Sequence, residues 1–362
     1  MIKRVLMTAD AVGGVWTYAL ELMRALPEIE FALATMGKPV SREQGEELSA
    51  VANATLFPSN FALEWMDEPW AEVDRAGDWL LDVGRDFNPD LVHLNGYAHA
   101  ALRWERPILV VAHSCVLSWW SAVKKGDAPA QFDEYRCRVA AGLNAADLVV
   151  APTQAMLDTL APNYRFFGPA RAIPNAREAG QFSPAAKRSA VFAAGRLWDE
   201  AKNITALAAA AERLPWPVEI AGDAADPSGR TIELRNVVSL GRLSSADLAE
   251  RLATSAIYAL PARYEPFGLS ALEAALAGCA LVLGEIPSLR EVWGDAAIFV
   301  DPDDHDALAA ALNYLIENKA ARLDYAARAR LRAALYSPAR MAGDYRDAYR
   351  ECVSRRTSEV AA

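Results

Sequence analysis

Residues 265–273, EPFGLSALE, set two carboxylates at the ends of a stretch whose only other polar side chain is Ser270. The surrounding run, ALPARYEPFGLSALEAALAGCALVL, otherwise has the composition of buried sheet and helix. A buried carboxylate is costly unless something pairs with it, so Glu265 and Glu273 each need a partner. Pro266 and Gly268 forbid a continuous helix through 265–269 and leave Glu265 in a loop. Ser270 is a natural N-cap, and Glu273 three residues later would complete a Ser-x-x-Glu capping box. The box needs no ligand, yet it leaves Glu265 without a role. It also leaves Glu273 able to reach ligand hydroxyls from a first helical turn. The backbone amides of Phe267, Gly268, Leu269 and Ser270, in a glycine-containing turn ahead of a helix, form an anion nest.

Further stretches carry groups that could do chemistry. In AAGRLWDEAKNI (193–204), Gly195 ends a strand, Arg196 lies in the following loop and Lys202 starts the next helix. Two cations there can clamp a diphosphate, the arginine as a fork and the lysine as a point charge. The alternative is solvated charge, with Lys202 pairing Asp199 or Glu200. In DAVGGVWTYAL (10–20), Gly13 and Gly14 either let a ligand approach the backbone at a helix start or simply make a tight turn. The pattern is not G-x-G-x-x-G, so the dinucleotide fingerprint is absent. His113, in VVAHSC at the end of an apolar strand, is either a packed, hydrogen-bonded residue or a catalytic one. VDPDDHD (300–306) contains a D-x-D pattern, but it sits between a strand and a helix. It reads as turn and cap chemistry, with no divalent metal implied. Trp119 and Trp120 fall in a loop, as a stacking platform or a buried anchor.

The elements that must position these groups alternate along the chain. Strands are expected at 3–9, 31–35, 91–96, 108–114 and 147–153, with helices over 14–26 and 68–87. The segment 166–189, rich in proline, glycine and polar residues, reads as a linker. A second series follows: strands at 191–195, 218–223, 256–261 and 280–285, and helices over 201–213, 245–254, from 270, over 306–335 and near 338–353. Continuous apolar strands separated by helices predict an α/β protein with two Rossmann-like doubly wound domains facing a central cleft. With 362 residues, two domains, or three, are expected on length alone.

Composition excludes several classes. The net charge is −10 without a long basic tract, which argues against a nucleic-acid partner. Four scattered cysteines fit neither a disulfide framework nor a zinc ribbon and favour a reducing cytoplasm. The N-terminus fits a first strand better than a signal peptide, and no window approaches a membrane span.

ARYEPFGLSALEAALAGCALVLGEIPSLREV resembles the E-x7-E region of retaining GT-B glycosyltransferases of family 4 (glycosyltransferase group 1). GRLWDEAKN is similar to that family's phosphate segment, VEIAGDA to its strand before the nucleotide loop, AIPNA to its linker and GGVWTYALEL to its glycine loop. The segments occur in family order over nearly the whole chain. The resemblance implies an N-terminal acceptor domain at 1–175, a nucleotide-sugar domain at 176–340 and a C-terminal helix at 341–362 packed back on the first domain.

It further implies that Glu273 takes the ribose hydroxyls of a nucleotide diphosphate sugar. Glu265, with Pro266 and the amides of 267–270, would hold the sugar and adjacent phosphate. Arg196 and Lys202 would bind the diphosphate, Leu243 would lie against the base, and Gly14 with Gly13 would approach the phosphates. His113 matches the family histidine opposite the donor sugar, while His93 and His99 would line the acceptor side. The linker departs from the family's Pro-Asn-Gly-Val-Asp: Asn175 remains, but PNAREAGQF lacks the glycine. Ser114 stands where an aspartate often follows the histidine. The implied activity is metal-independent retaining transfer of a hexose-type sugar to a hydroxyl acceptor. The donor substrate would be a UDP-sugar ahead of GDP- or ADP-sugar, and no other cofactor is implied. A nucleotide-sugar epimerase of the same fold and a silent nucleotide-sugar-binding homologue are the alternatives.

Overall fold

The computed structural model describes residues 2–225, 229 and 231–361, with 358–361 described by helical backbone alone. The chain forms two compact units. One comprises Met1–Ser121, Gly126–Asn175 and Pro338–Ala362, the other Ala122–Lys125 and Ala176–Ser337.

The first unit is built on a seven-stranded parallel sheet. Its strands are β1 (Arg4–Asp10), β2 (Glu30–Met36), β3 (Ala54–Pro58), β4 (Leu91–Leu94), β5 (Ile108–Val111), β6 (Leu148–Ala151) and β7 (Ala170–Ala172), in the order β3-β2-β1-β4-β5-β6-β7. Residues of β1, β4, β5 and β6 are buried nearly throughout, as strands covered by helices on both faces require. β1 pairs with β2 on one side and β4 on the other, so the strand order reverses there. In doubly wound sheets the loops at such a reversal are where ligands bind. The glycine loop follows β1, and Asn95 follows β4. The C-terminal helix Pro338–Ala361 belongs to this unit and packs Tyr345 against Tyr18 of helix Gly14–Ala25, with ring centroids 5.8 Å apart.

The second unit holds a six-stranded parallel sheet: β8 (Arg188–Ala194), β9 (Val218–Ala221), β10 (Val238–Gly241), β11 (Ser255–Leu260), β12 (Ala280–Gly284) and β13 (Ile298–Val300), ordered β10-β9-β8-β11-β12-β13. Here the reversal lies at β8, between β9 and β11. One face is covered by helices Leu269–Leu276 and Pro287–Trp293, with Phe192, Tyr258, Leu272 and Trp293 in the core. The other packs Ile204, Leu207, Leu308 and Leu312.

The loops leaving β8 and β9 touch. A Cβ added to Gly222 (φ 142°) would stand 1.8 Å from the Gly195 carbonyl oxygen. Gly222→Ala must push those loops apart, at a cost of at least about 2 kcal/mol. Urea denaturation followed by tryptophan fluorescence measures the loss.

Several local expectations need correction. Helix 306–335 is two helices, His305–Glu317 and Lys319–Ala333. Asn318 separates them and caps the second by accepting from the Ala321 N–H at 3.0 Å, a role asparagine favours. Trp119 and Trp120 lie in helix Val116–Lys124 rather than a loop. The expected linker contains β7, an edge strand of the first sheet. Over 201–213 the helix runs only through Ile204–Ala211, because Asn203 takes a left-handed conformation (φ 54°) that ends the preceding 3-10 turn.

Candidate active site

In the second unit, the loops after β8 and β11 are stapled together. Buried Asn203 donates from Nδ2 to the carbonyls of Pro261 (2.9 Å) and Pro302 (2.7 Å). The Arg263 N–H bonds the Ala201 carbonyl at 2.8 Å, and the Arg263 guanidinium bonds Asn203 Oδ1 at 2.5 Å. This frame fixes Lys202 beside Glu265. Lys202 Nζ lies 2.5 Å from Glu265 Oε2, with both side chains mostly buried (17% and 12% exposed). Glu265 Oε1 accepts from the Gly268 N–H at 3.0 Å, with the Phe267 N–H at 3.5 Å, and Ser288 Oγ donates to the Glu265 carbonyl at 2.5 Å.

The carboxylate therefore sits on the helix-start amides and a lysine ammonium, as an anion bound there would. Lys202 pairs with neither Asp199 nor Glu200. Asp199 instead takes Arg196, Nη2 to Oδ2 2.8 Å, and caps the 3-10 turn by accepting from the Ala201 N–H at 3.0 Å. The Arg196 side chain is half exposed beside Trp198, its guanidinium carbon 5.5 Å from the ring centroid.

The Ser270–Glu273 capping box is absent. Helix Leu269–Leu276 begins one residue early because Gly268, at φ 89°, serves as its N-cap. Ser270 is then the second helical residue and Glu273 the fifth, beyond the reach of a box. The first-turn amides are met by Glu265 instead. Glu273 finds a different partner, Arg177, whose Nε lies 2.8 Å from its Oε1 in a pair 13% and 11% exposed. Arg177 also stacks over Phe182 at 5.0 Å. Pro266 shapes the turn before Phe267, which is buried with its ring edge-on to Tyr336 at 5.5 Å. Leu243 packs against the unit's core between β10 and helix Ser245–Thr254. Asp301 Oδ1 accepts from the Asp303 N–H, and Asp304 caps helix His305–Glu317 through the Ala307 N–H. These acids of VDPDDHD thus do turn and cap work.

In the first unit, Gly13 (φ 89°) is the N-cap of helix Gly14–Ala25, which has no side-chain cap. Both glycines are exposed. His113 Nε2 lies 2.8 Å from Asn95 Oδ1, and its ring meets Tyr18 edge-on at 4.6 Å. Asn175 is buried and is the last residue of this unit before the crossing to Ala176.

His93 is enclosed, whereas His99, though buried, lines a cleft with Val73, Asp74 and Arg138. His93 is fully buried between Tyr18 OH (3.2 Å) and Tyr349 OH (2.8 Å), and His99 is buried with Nε2 2.9 Å from the Val73 carbonyl. They are core histidines. Burial, helped by nearby His113, pushes the His93 imidazole down to about 3. An unfolded histidine titrates near about 6.5. From about pH 6.5 down to about 3, the unfolded chain therefore holds a proton that folded His93 does not. Stability falls as pH falls across that window, by up to about 1.4 kcal/mol per pH unit from His93 alone. Urea midpoints measured at pH 7, 6, 5 and 4 should decrease steadily.

Residues that the sequence reading passed over include Arg177, Asn203, Arg263, Ser288 and Asn95. Arg177 lies where PNAREAG departs from the family linker, which was the available signal. Asn203 closes the GRLWDEAKN segment, and the others act through chain-distant carbonyls and carboxamides and left none.

Two sequence families match consecutive halves of the chain: Glycosyltransferase Family 4 over residues 12–179 and Glycosyl transferases group 1 over residues 177–332. The chain belongs to the group 1, family 4 glycosyltransferases. This glycosyltransferase is 29% identical to the glycogen synthase of Mycobacterium tuberculosis over 330 residues, covering 81% of this chain and 78% of that one. Its fold is shared with sucrose-phosphate synthase from Thermosynechococcus elongatus (TM-score 0.77, 18% identity, 96% and 98% of the two chains). It is shared also with HepE from Anabaena, solved with UDP-glucose (TM-score 0.76, 16% identity, 95% and 98%). The two-unit arrangement of parallel sheets is the GT-B architecture. Among the described residues, no helix of the glycosyltransferase is long and apolar enough to cross a membrane.

Proposed function

We propose that this glycosyltransferase moves a hexose from a nucleoside diphosphate sugar, UDP-linked in the first instance, to a hydroxyl acceptor with retention at the anomeric carbon and without a metal. The observation that carries the reading is the convergence of Lys202 and the Gly268 N–H on one anion, the Glu265 carboxylate, at the strand-order reversal of the second unit. In the loaded enzyme a donor phosphate oxygen takes that position, with Arg196 and the amides of Phe267, Gly268, Leu269 and Ser270 as further donors. Glu265 then turns to the sugar hydroxyls, in the turn set by Pro266. Glu273, held by Arg177, takes the ribose, and Leu243 lies beside the base. HepE's complex with UDP-glucose supports the choice of base and sugar class.

The chemistry follows from the charges. The bond between the anomeric carbon and the diphosphate oxygen breaks, and the electron pair leaves with the diphosphate. Lys202 and Arg196 stabilise the charge that develops there, in a setting preorganised by the 200–203 and 261–265 loops. The acceptor oxygen attacks from the face that the diphosphate leaves, and its proton passes to the departing phosphate oxygen. In the first unit, Gly13 and Gly14 offer backbone N–H groups to an anion, and His113 offers its imidazole to a substrate hydroxyl. Asn175 sets the crossing into the donor unit. The same reading places the reaction in the cytoplasm, which the four free cysteines support.

Proton NMR of the product made from an α-linked donor tests retention. An α-glycoside is expected, and a β-glycoside would overturn it. For the ribose contact, Glu273→Gln keeps the size and hydrogen-bonding capacity of the side chain. It should weaken donor binding about tenfold, ~1.4 kcal/mol, by titration calorimetry, while the thermal transition stays cooperative.

A further inference from the structure

His113 is held by a chain of hydrogen bonds whose directions are forced. Asn95 Nδ2 lies 2.6 Å from the Thr8 carbonyl oxygen. A carbonyl only accepts, so the atom facing it is the amide nitrogen. The Asn95 backbone N–H bonds Thr8 Oγ1 at 2.9 Å and pins the residue from a second side. Asn95 Oδ1 is thereby turned to His113, 2.8 Å from Nε2. An amide oxygen also only accepts, so the proton must be on Nε2. Tyr18, edge-on at 4.6 Å, fixes the ring plane. Nδ1 keeps its lone pair and has no hydrogen-bond partner among the described residues.

We propose that Asn95 is a positioning residue that holds His113 as the Nε2–H tautomer, so that Nδ1 serves as a hydrogen-bond acceptor for a substrate hydroxyl. The proposal rests on the reading of His113 given under the proposed function, and it adds the group that sets how His113 works. A histidine in this state recognises a hydroxyl as an acceptor and is not the proton donor to a leaving group. Burial agrees with it, pushing the imidazole down to about 3. The titratable groups packed nearby are His93 on β4, Tyr18, and Tyr345 and Tyr349 of the C-terminal helix. His93 is likewise pushed down to about 3, and burial raises all three tyrosines. None is charged near neutral pH.

The test combines long-range proton–nitrogen NMR of the histidine-labelled full chain with turnover. The His113 signal is assigned by its loss in His113→Gln. In the unsubstituted protein a protonated Nε2 and a bare Nδ1 are expected from pH 5 to 8. Asn95→Leu should mix or reverse the tautomer and lower kcat about 10–100-fold with little change in donor KM, the loss typical of a misplaced reacting group. Asn95→Asp keeps the acceptor but adds a charge. It should preserve the Nε2–H pattern and raise the His113 pKa towards about 6.5, adding an acid limb to the pH–rate profile. A protonated Nδ1 in the unsubstituted protein, or an unchanged tautomer in Asn95→Leu, would overturn the proposal. Full turnover in His113→Gln with the expected tautomers would remove His113 from the reaction while leaving the Asn95 assignment standing.

Discussion

Lys202→Met is expected to lower the catalytic efficiency of sugar transfer by about 10²–10³-fold, the loss seen when one donor to a developing negative charge is removed. Methionine keeps the unbranched stem of lysine, so packing beside Gly195 is disturbed little. What disappears is the ammonium 2.5 Å from Glu265 Oε2. Two consequences act in the same direction. On the proposed function the departing diphosphate loses a cation, and the mostly buried Glu265 carboxylate is left with the Gly268 N–H but without the lysine's counter-charge. The second effect should appear as a lower thermal midpoint of the ligand-free protein, the first only in binding and turnover. Arg196 keeps its own donors for the diphosphate but does not move into the place of the ammonium beside Glu265, because its Nη2 is anchored to Asp199.

Glu265→Gln should act with opposite sign on binding and the same sign on turnover. Glu265 is an internal anion on the Lys202 ammonium and the Gly268 N–H, the groups that the proposed function assigns to a donor phosphate. A neutral amide competes for them less well and no longer repels a diphosphate. UDP should then bind about three- to tenfold tighter, ~0.7–1.4 kcal/mol. Transfer should nevertheless fall about 100-fold, because the carboxylate is withdrawn from the reacting sugar, where charge develops only in the transition state. Calorimetric titration of UDP and steady-state kinetics separate the two. Weaker UDP binding in Glu265→Gln would show that the carboxylate assists the phosphate site instead of occupying it.

How much of this was legible in the sequence depended on burial. The central strands β1, β5, β6, β8, β11 and β12 are apolar runs because helices cover both faces, and they read as strands directly. The strands that did not read are β3, β7 and β10, three of the four sheet edges, which are short and wholly or partly exposed. An edge strand needs no apolar run, so its sequence carries little signal. The residue types of the donor half-site were legible, but their pairings were not. Ser270 and Glu273 have the spacing of a capping box, yet Gly268 in a left-handed conformation took the cap. A genuine box forms instead at Ser41 and Gln44, ahead of helix Arg42–Ser49. His93 looked like an acceptor-side group beside LNGYA, but a strand's inward face buried it against Tyr18 and Tyr349. Such outcomes depend on which distant segment packs alongside, as Asn203 with Pro261 and Pro302 shows.

The central claim is that the second unit holds a nucleoside diphosphate through Lys202 and the helix-start amides. A thermal-shift panel of UDP, GDP and ADP and their common sugars tests it most directly. At about 100 times its dissociation constant a ligand stabilises by about 2.7 kcal/mol. A clear upward shift with at least one of them, greatest for the UDP compounds and lost in Lys202→Met, is the predicted result. No shift with any of them, or an equal shift in Lys202→Met, would contradict it.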